Sequence, residues 1–513
     1  MKLYALSGLS ALLYVLGYPA GLGYWPLACV ALAPLIAGVE RDAPPPRRAF
    51  WAGALFAVLT QLLGYTFLPE TLLRFSGLPW VACMVAHVAL CTVQGGGAAL
   101  WLYALGWLRA RGGSALAFAP PLWVLQELIW PSVFEAPLGA AVHDVPVLTQ
   151  SAELGGVALV SLLVAAINAG LATLALGATG DRPRLRRAAY ALAVALLAAG
   201  AGQQRVIDIE ERIARASSLR VGLVQASLSA EAKRRDPRAY AEHYVRLSQT
   251  IREPLDLLIW PETALARPVP TSVPDMSAAH PSLEGVRGPL LVGAVTFESS
   301  RLYNSALLFD ESRRRVGRVD KHKLLPFAEV IPFGDRFPKL YDWIPGTGHF
   351  TAGTSTPLLE LAGTRIATFI CYEDMLPRTV RHAIASGGAA LLVSISNDAW
   401  FGESRAAYTH FAVARLRAVE LRRTLVRATN TGVTAIILPT GKLSHDALTP
   451  EHVQATLVAD APLLDGETLY LRFGSGVLIA LMLLWLVLAV RTMPSFTDRS
   501  RTSPPRRRSA GAA

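Results

Sequence analysis

Residues 474–490 read GSGVLIALMLLWLVLAV, a run without a single charge. A helix crossing a hydrocarbon core about 30 Å thick needs roughly 20 apolar residues, and this run with its neighbours is of that length. Similar runs crowd the other end of the chain, near 3–20, 22–39, 49–68, 78–105, 114–131, 152–178 and 187–203. A chain built this way must fold partly against lipid. Composition agrees: 52% of residues are hydrophobic, only 17% are charged and the mean hydropathy is +0.37, whereas an ordinary soluble domain carries about 25% charge.

Between 204 and 473 the pattern changes to short β-rich runs separated by Gly, Pro and charged turns, the signature of a water-soluble domain. The organisation expected is a bundle of seven spans over 1–203, a soluble domain over 204–473, an eighth span at 474–491 and a basic, disordered tail over 492–513. The first run reads as a span, not a cleaved leader, because further apolar runs follow at once and YPAG is a weak cleavage site.

Lys and Arg collect in loops facing the cytoplasm. Here the basic loops are 40–48, 109–113, 181–187 and the tail from Arg491, following the second, fourth and sixth spans and the last. Their alternation places both termini inside and the soluble domain outside the cytoplasm. The net charge of +11 is then explained by inner loops and tail meeting anionic lipid. With no basic recognition helix or RNA-binding motif, no nucleic-acid partner is expected.

Of the 4 cysteines, Cys29, Cys83 and Cys91 fall in spans, where a small apolar filler is the expected role. Cys83 and Cys91 can share a helix face, but no His or acidic partner is expected at ligand spacing, so no metal site is expected. Cys371 stands alone in the soluble domain, where the strand-like RIATFICYED (365–374) ends in a thiol followed by Glu373 and Asp374. Such a thiol is either an inert buried group or a nucleophile.

A nucleophilic cysteine needs a base or a positive neighbour to supply its thiolate. Two candidates stand at strand ends. LDLLIWPETAL (255–265) reads as a strand that stops at Pro261 and presents Glu262, while the run 313–335 ends in Lys321, Lys323 and, past a Pro turn, Glu329. Each has an ordinary reading as well, Glu262 as a helix N-terminal acid and the lysines as a solvated charge run.

Taken together, WPE (260–262), DKHKLLPFAE (320–329) and CYE (371–373) resemble the Glu-Lys-Cys triad of the nitrilase, or carbon-nitrogen hydrolase, superfamily. The flanking spans with SISNDAWFG (394–402), THFAVARLRAVELRRTLVRATNTGVTAII (409–437) and LPTG (438–441) resemble the bacterial apolipoprotein N-acyltransferases.

The resemblance implies an α+β fold, the nitrilase-type αββα sandwich, inserted between the transmembrane helices of a polytopic protein with about eight spans. It implies transfer of a fatty acyl chain from a phospholipid donor to the α-amino group of a diacylated apolipoprotein. The enzyme would lie in the bacterial inner membrane with its catalytic domain periplasmic, as a monomer, and without a cofactor. Glu262 would be the base, Cys371 the nucleophile carrying a thioester and Lys321 the oxyanion donor. Glu329 and Glu373 would orient Lys321 and the thiol or amine. Tyr372, Asn397, Trp400 and Phe401 would line the substrate pocket, and Glu420, Arg427 and Asn430 would hold scaffold contacts.

The chain departs from the family pattern at Ala328, at Arg234 and Arg235 where an aromatic is common, and in WPSVF (130–134). A membrane-tethered amidase with the same triad and a non-catalytic transporter or assembly factor are the alternatives. The segment 266–282, rich in Pro and Ser, is a candidate lid or a plain surface loop.

Overall fold

A computed structural model of the chain describes residues 1–176, 182–344, 347–385 and 387–493. The tail from Pro494 onward and part of the expected third basic loop therefore lie outside the described residues.

Gly and Pro decide where the N-terminal apolar runs are helical. The first forms a helix over Lys2–Gly17. The expected span at 22–39 does not form one helix: a short turn at Trp25–Leu27 precedes a helix at Ala33–Asp42, with Pro26 and Pro34 each in a first turn, the one place where a missing N–H costs nothing. The third run becomes Pro46–Gly64 followed, after a bend of 55°, by Leu68–Ser76, with Pro69 in its first turn. Trp80–Ala110, Ala115–Ile129 and Val157–Leu176 follow, and the run expected over 187–203 is part of one long helix, Arg182–Arg215.

Among the described residues two helices, Trp80–Ala110 and Val157–Leu176, are long and apolar enough to cross a membrane, or three if the bent pair counts as one span; Lys2–Gly17, Ala115–Ile129 and Gly476–Arg491 are apolar but shorter. Small residues let the helices approach closely. A Cβ on Gly95 would come within 2.9 Å of the Ala57 side chain, and one on Gly53 within 2.9 Å of Leu102. Outward faces stay apolar: in Gly476–Arg491 only Leu478 and Met482 are buried. His87 stands one turn before Cys91, with Nδ1 3.6 Å from its Sγ, so a histidine partner does exist there; still, among the described residues no group of three or more potential ligands forms.

Among the described residues, the region after the long helix has twelve strands: β1 (Ser218–Gln225), β2 (Leu257–Pro270), β3 (Leu290–Glu298), β4 (Arg301–Phe309), β5 (Arg315–Asp320), β6 (Leu359–Leu361), β7 (Thr364–Ile370), β8 (Leu391–Ser396), β9 (Thr424–Thr429), β10 (Thr434–Ile437), β11 (Leu443–Thr449) and β12 (Ala455–Pro462). They form two six-stranded sheets, ordered β12-β1-β2-β3-β4-β5 and β11-β10-β9-β8-β7-β6. The central pairings β1–β2–β3 and β7–β8–β9 are parallel, which requires both faces to be covered.

The inner faces meet in one apolar layer that includes Val221, Leu223, Ile259, Ile366, Val393 and Ile395. The outer face of the first sheet is covered by Tyr240, Tyr244 and Val245 of the helix Pro237–Ser248, that of the second by residues of Pro377–Ala385 and Ala406–Leu421. Helix Ala406–Leu421 is buried all round because its opposite side, through Val413, Leu416 and Val419, joins the core of the N-terminal bundle.

Two local expectations change. Strand β2 does not stop at Pro261 but runs on to Pro270, with register breaks between Trp260 and Leu265 and again before Val269. The bulge absorbs the proline's missing N–H and lets Thr263 take a left-handed φ of 51°. The candidate lid at 266–282 is packed, with Val269, Val273, Met276 and Ala279 in the core.

Candidate active site

Cys371 follows directly on the last residue of β7 and opens the tight turn Cys371–Met375 with φ 55°, a left-handed conformation that costs a non-glycine residue about 1–3 kcal/mol. The next three residues pin this turn to three separate parts of the molecule. Tyr372 donates its hydroxyl to the carbonyl of Val133 in the N-terminal bundle at 2.6 Å. Glu373 accepts from the backbone N–H groups of Ile370 (2.9 Å), His322 (2.7 Å) and Lys323 (2.9 Å). Asp374 is held by Ser394 Oγ at 2.6 Å, by His410 Nε2 at 2.6 Å and by Arg427. Glu373 thus fixes the backbone on which Lys321 is mounted; its three N–H partners leave it a structural acceptor, and burial raises its carboxyl against their pull.

Lys321 immediately follows β5, and its side chain is 2% exposed. Nζ stands 2.8 Å from Glu329 Oε2 and 3.5 Å from Glu262 Oε1. Asn304 of β4 bridges the two carboxylates, donating Nδ2 to Glu262 Oε1 at 2.6 Å and to Glu329 Oε1 at 2.9 Å. The other oxygen of Glu262 accepts the backbone N–H of Asn397 at 2.9 Å. Burial disfavours the Lys321 charge, but Glu329 and then Glu262 more than offset it, and the ammonium is held above its ordinary pKa. A lysine ammonium has three donors; two face carboxylates, which leaves one.

Burial, and then the Glu262 carboxylate, push the Cys371 thiol well above its ordinary value, with Lys321 pulling the other way. At rest the sulfur is therefore held as a thiol. Lys323, by contrast, is exposed. The loop tolerates Ala328 because the left-handed residue there is Phe327, at φ 65°, and Ala328 needs no glycine-like conformation.

From Cys371 an apolar cavity opens toward the bundle. Its walls include Tyr14, Tyr18, Tyr65 and Phe134 on the bundle side and Leu325, Tyr372, Met375 and Phe401 on the other. Phe401 packs edge-on to Phe67 with centroids 5.4 Å apart. Trp400 lies outside this lining, beneath Lys233 and Arg234, and its carbonyl accepts from Thr71 of the bundle at 3.5 Å. Asn397 acts through its backbone on Glu262, while its side chain accepts from Asn430 at 3.1 Å. The segment 130–134 contributes Phe134 to the bundle-side wall, and Gln94 Oε1 accepts from the N–H groups of Val133 (2.8 Å) and Phe134 (3.1 Å).

Tyr372→Phe keeps the ring but removes the hydrogen bond between the turn and the bundle wall, so a loss of about 0.5–1.5 kcal/mol is expected. The check is thermal unfolding in detergent; an unchanged midpoint would show that this bond does not hold the turn.

Three functional features escape a reading by motif. Asn304 sits in the strand-like RLYNSALLF, where an amide amid apolar residues is the available signal. The cluster of Asp374, Asp398, His410 and Arg427 is scattered over four elements. Lys233, which donates to Thr263 Oγ1 next to Glu262, lies in a segment that reads as a charged surface turn.

A family profile described as the apolipoprotein N-acyltransferase N-terminal domain matches residues 10–170, and one described as carbon-nitrogen hydrolase matches 220–466. The chain is 30% identical to an apolipoprotein N-acyltransferase of Geobacter metallireducens, with 92% of this chain and 91% of the relative covered. It is 32% identical to one of Pseudomonas putida, covering 91% and 93%. Among solved structures, an amidase of the nitrilase superfamily from Nesterenkonia AN1 aligns over 48% of this chain and 92% of its own at 19% identity, with a TM-score of 0.37. Similarity over nine-tenths of both lengths, across bundle and double sheet alike, establishes that the chain belongs to the apolipoprotein N-acyltransferase family.

Proposed function

We propose that the chain transfers a fatty acyl group from a membrane phospholipid to the α-amino group of the diacylglyceryl-cysteine at the N-terminus of apolipoproteins, through a thioester on Cys371. The observation that carries this reading is the apolar cavity joining the thiol to the helical bundle. A soluble amidase acting on small polar substrates has no use for such a chamber, whereas an acyl chain entering from lipid needs one. Exposed aromatics on the segment after Lys321, Phe333 (78% exposed) and Trp343 (70%), support contact with a bilayer surface.

In the first half-reaction Glu262 takes the thiol proton as sulfur attacks the ester carbonyl. The tetrahedral oxyanion takes the free donor of Lys321. Collapse expels the glycerol oxygen, which recovers the proton from Glu262 and leaves as lysophospholipid. In the second, the incoming amine attacks the thioester, gives a proton to Glu262, and the thiol is regenerated. Glu329 and Asn304 keep Lys321 and Glu262 in register throughout.

In this reading residues 1–203 and 474–491 form the membrane part, with the shorter apolar helices completing about eight crossings. The domain over 204–473 faces the periplasm from the inner membrane, and both termini, including the basic tail 492–513, are cytoplasmic. The protein acts as a monomer.

The test is the intact mass of the detergent-purified protein after incubation with phospholipid, beside Cys371→Ala, followed by a diacylated lipopeptide. The wild type alone should gain one acyl mass, and that mass should move to the peptide amine. An adduct lost to water equally fast without peptide would make the enzyme a hydrolase; no adduct would remove the thioester.

A further inference from the structure

Lys233 is the second lysine next to the Glu262 carboxylate, and the acyl-transfer steps above give it no task. Its ammonium donates to Thr263 Oγ1, the residue after Glu262, and stands 5.8 Å from the centroid of the Trp400 ring. Thr263 has left the regular strand alternation through its φ of 51°, which is how its hydroxyl comes to meet a lysine from another turn. Among the described residues this ammonium is paired with no carboxylate; its hydrogen-bond partner is a neutral hydroxyl. Burial lowers it to about 8, with Glu262 and Glu329 opposing and Arg234 reinforcing the fall.

Two arginines stand near the turn that carries Trp400, each ion-paired to a glutamate of its own helix, Arg234 to Glu231 and Arg74 to Glu70. The Arg234 guanidinium lies 6.0 Å from the same Trp400 ring, bonded at 3.3 Å to Glu231 on the exposed side. Arg74, carried in by the bundle helix Leu68–Ser76, reaches the turn at Gly402, where a Cβ would meet its guanidinium at 3.1 Å. An ammonium without a carboxylate partner, with the Arg234 guanidinium over the same Trp400 ring and Phe401 of the cavity wall next in sequence, is a site suited to an anion.

We propose that Lys233, assisted by Arg234, is the subsite for the phosphodiester of the donor phospholipid. The inference rests on the acyl-transfer reading and adds to it. In a glycerophospholipid the acyl ester and the phosphate are separated by the glycerol carbons. Glu262 and Thr263 are adjacent, so one lipid can present its ester to Cys371 and its phosphate to Lys233 together. The acceptor lipopeptide carries no phosphate, so the contribution belongs to the first half-reaction alone.

The experiment measures the rate of Cys371 thioester formation by intact mass in full-length protein. Dipalmitoyl phosphatidylglycerol is compared with dipalmitoylglycerol, which has the same esters and no phosphate. Lys233→Gln should lose about tenfold to a hundredfold with the phospholipid, the range of a charge-assisted hydrogen bond, and change less than about twofold with the diacylglycerol. Lys233→Arg should recover most of the phospholipid rate. Thr263→Val, which frees the ammonium from its anchor, should show a smaller loss with the same donor dependence. Transfer from preformed thioester to lipopeptide should be unchanged in all three.

Equal losses with both donors would overturn the subsite and leave Lys233 as part of the electrostatics of Glu262. No loss with either would overturn it outright. Should the wild type form no thioester with either donor, the acyl-transfer reading itself fails and the subsite with it. Inorganic phosphate that slows both donors alike in the wild type but neither in Lys233→Gln would mark a general anion site, not one for the donor.

Discussion

Glu262→Gln is expected to slow acylation of Cys371 by about 10²–10⁴-fold, the usual contribution of a positioned general base. The substitution preserves shape while removing the proton acceptor, and the surroundings make that loss severe. Burial and the neighbouring carboxylate keep the sulfur protonated, so without a base almost no thiolate forms near neutral pH. Replacing the carboxylate also removes one of the causes that raise the thiol, and this works in the opposite direction. Among the causes burial is the larger, so the loss of the base prevails.

A pH series separates the two effects. In the variant the acylation rate should climb about tenfold per pH unit as hydroxide replaces the missing base, while the wild type should vary much less. The structural cost is limited. The new amide must place its NH₂ group toward Asn304 Nδ2 or the N–H of Asn397, both donors, for a penalty of about 1–3 kcal/mol visible as a lower unfolding midpoint. An unchanged acylation rate in a folded variant would remove Glu262 from the chemistry.

The parts of this molecule legible in its sequence are those in which one short run carries the whole signal. RIATFICYED predicts a strand ending in a thiol, and β7 ends at Ile370 with Cys371 next. Apolar run length predicts the bundle, but not where Pro and Gly interrupt it, since a first-turn proline continues a helix that a mid-strand or mid-helix rule would end. The same residue misleads at Pro261, where a bulge carries β2 onward. Features made by side chains from distant elements leave little local trace. In FAVARLRAVELRR the charged Arg415, Arg417 and Glu420 are all buried, because two domains cover the helix from opposite sides. Glu420 there accepts the N–H of Val157 at 2.7 Å, and Arg422 bonds Glu153 at 2.7 Å, contacts no reading of either segment alone could provide.

The largest stability effect is expected at the buried charge cluster behind the turn. Arg427 donates to Asp374 Oδ2 and, at 3.2 Å, to Asp398 Oδ2; His410 bridges the other oxygens, 2.6 Å from Asp374 and 3.1 Å from Asp398. Two carboxylates face two cations, so the cluster is neutral when His410 is doubly protonated. Arg427→Met leaves an uncompensated buried carboxylate and should destabilise the protein by about 3–5 kcal/mol. Activity should fall with it, because Asp374 belongs to the Cys371 turn and Asp398 follows Asn397, whose N–H holds Glu262.

The pH dependence has a definite sign. Burial and Arg427 oppose the charge on His410, yet Asp374 and Asp398 outweigh them and raise it to about 9. Its stabilisation is complete below the unfolded value of about 6.5 and disappears as the pH rises through 9. Asp398, lowered to about 2, acts at the other end: its contribution is present above the unfolded carboxylate value of about 3.9 and is lost as the pH falls through 2. Unfolding midpoints in detergent should therefore decline between pH 6.5 and 9 in the wild type. In His410→Gln the midpoint should start lower, and the decline over that window should be absent. A decline that persists undiminished in the variant would place the alkaline transition on another group and leave His410 neutral in the fold.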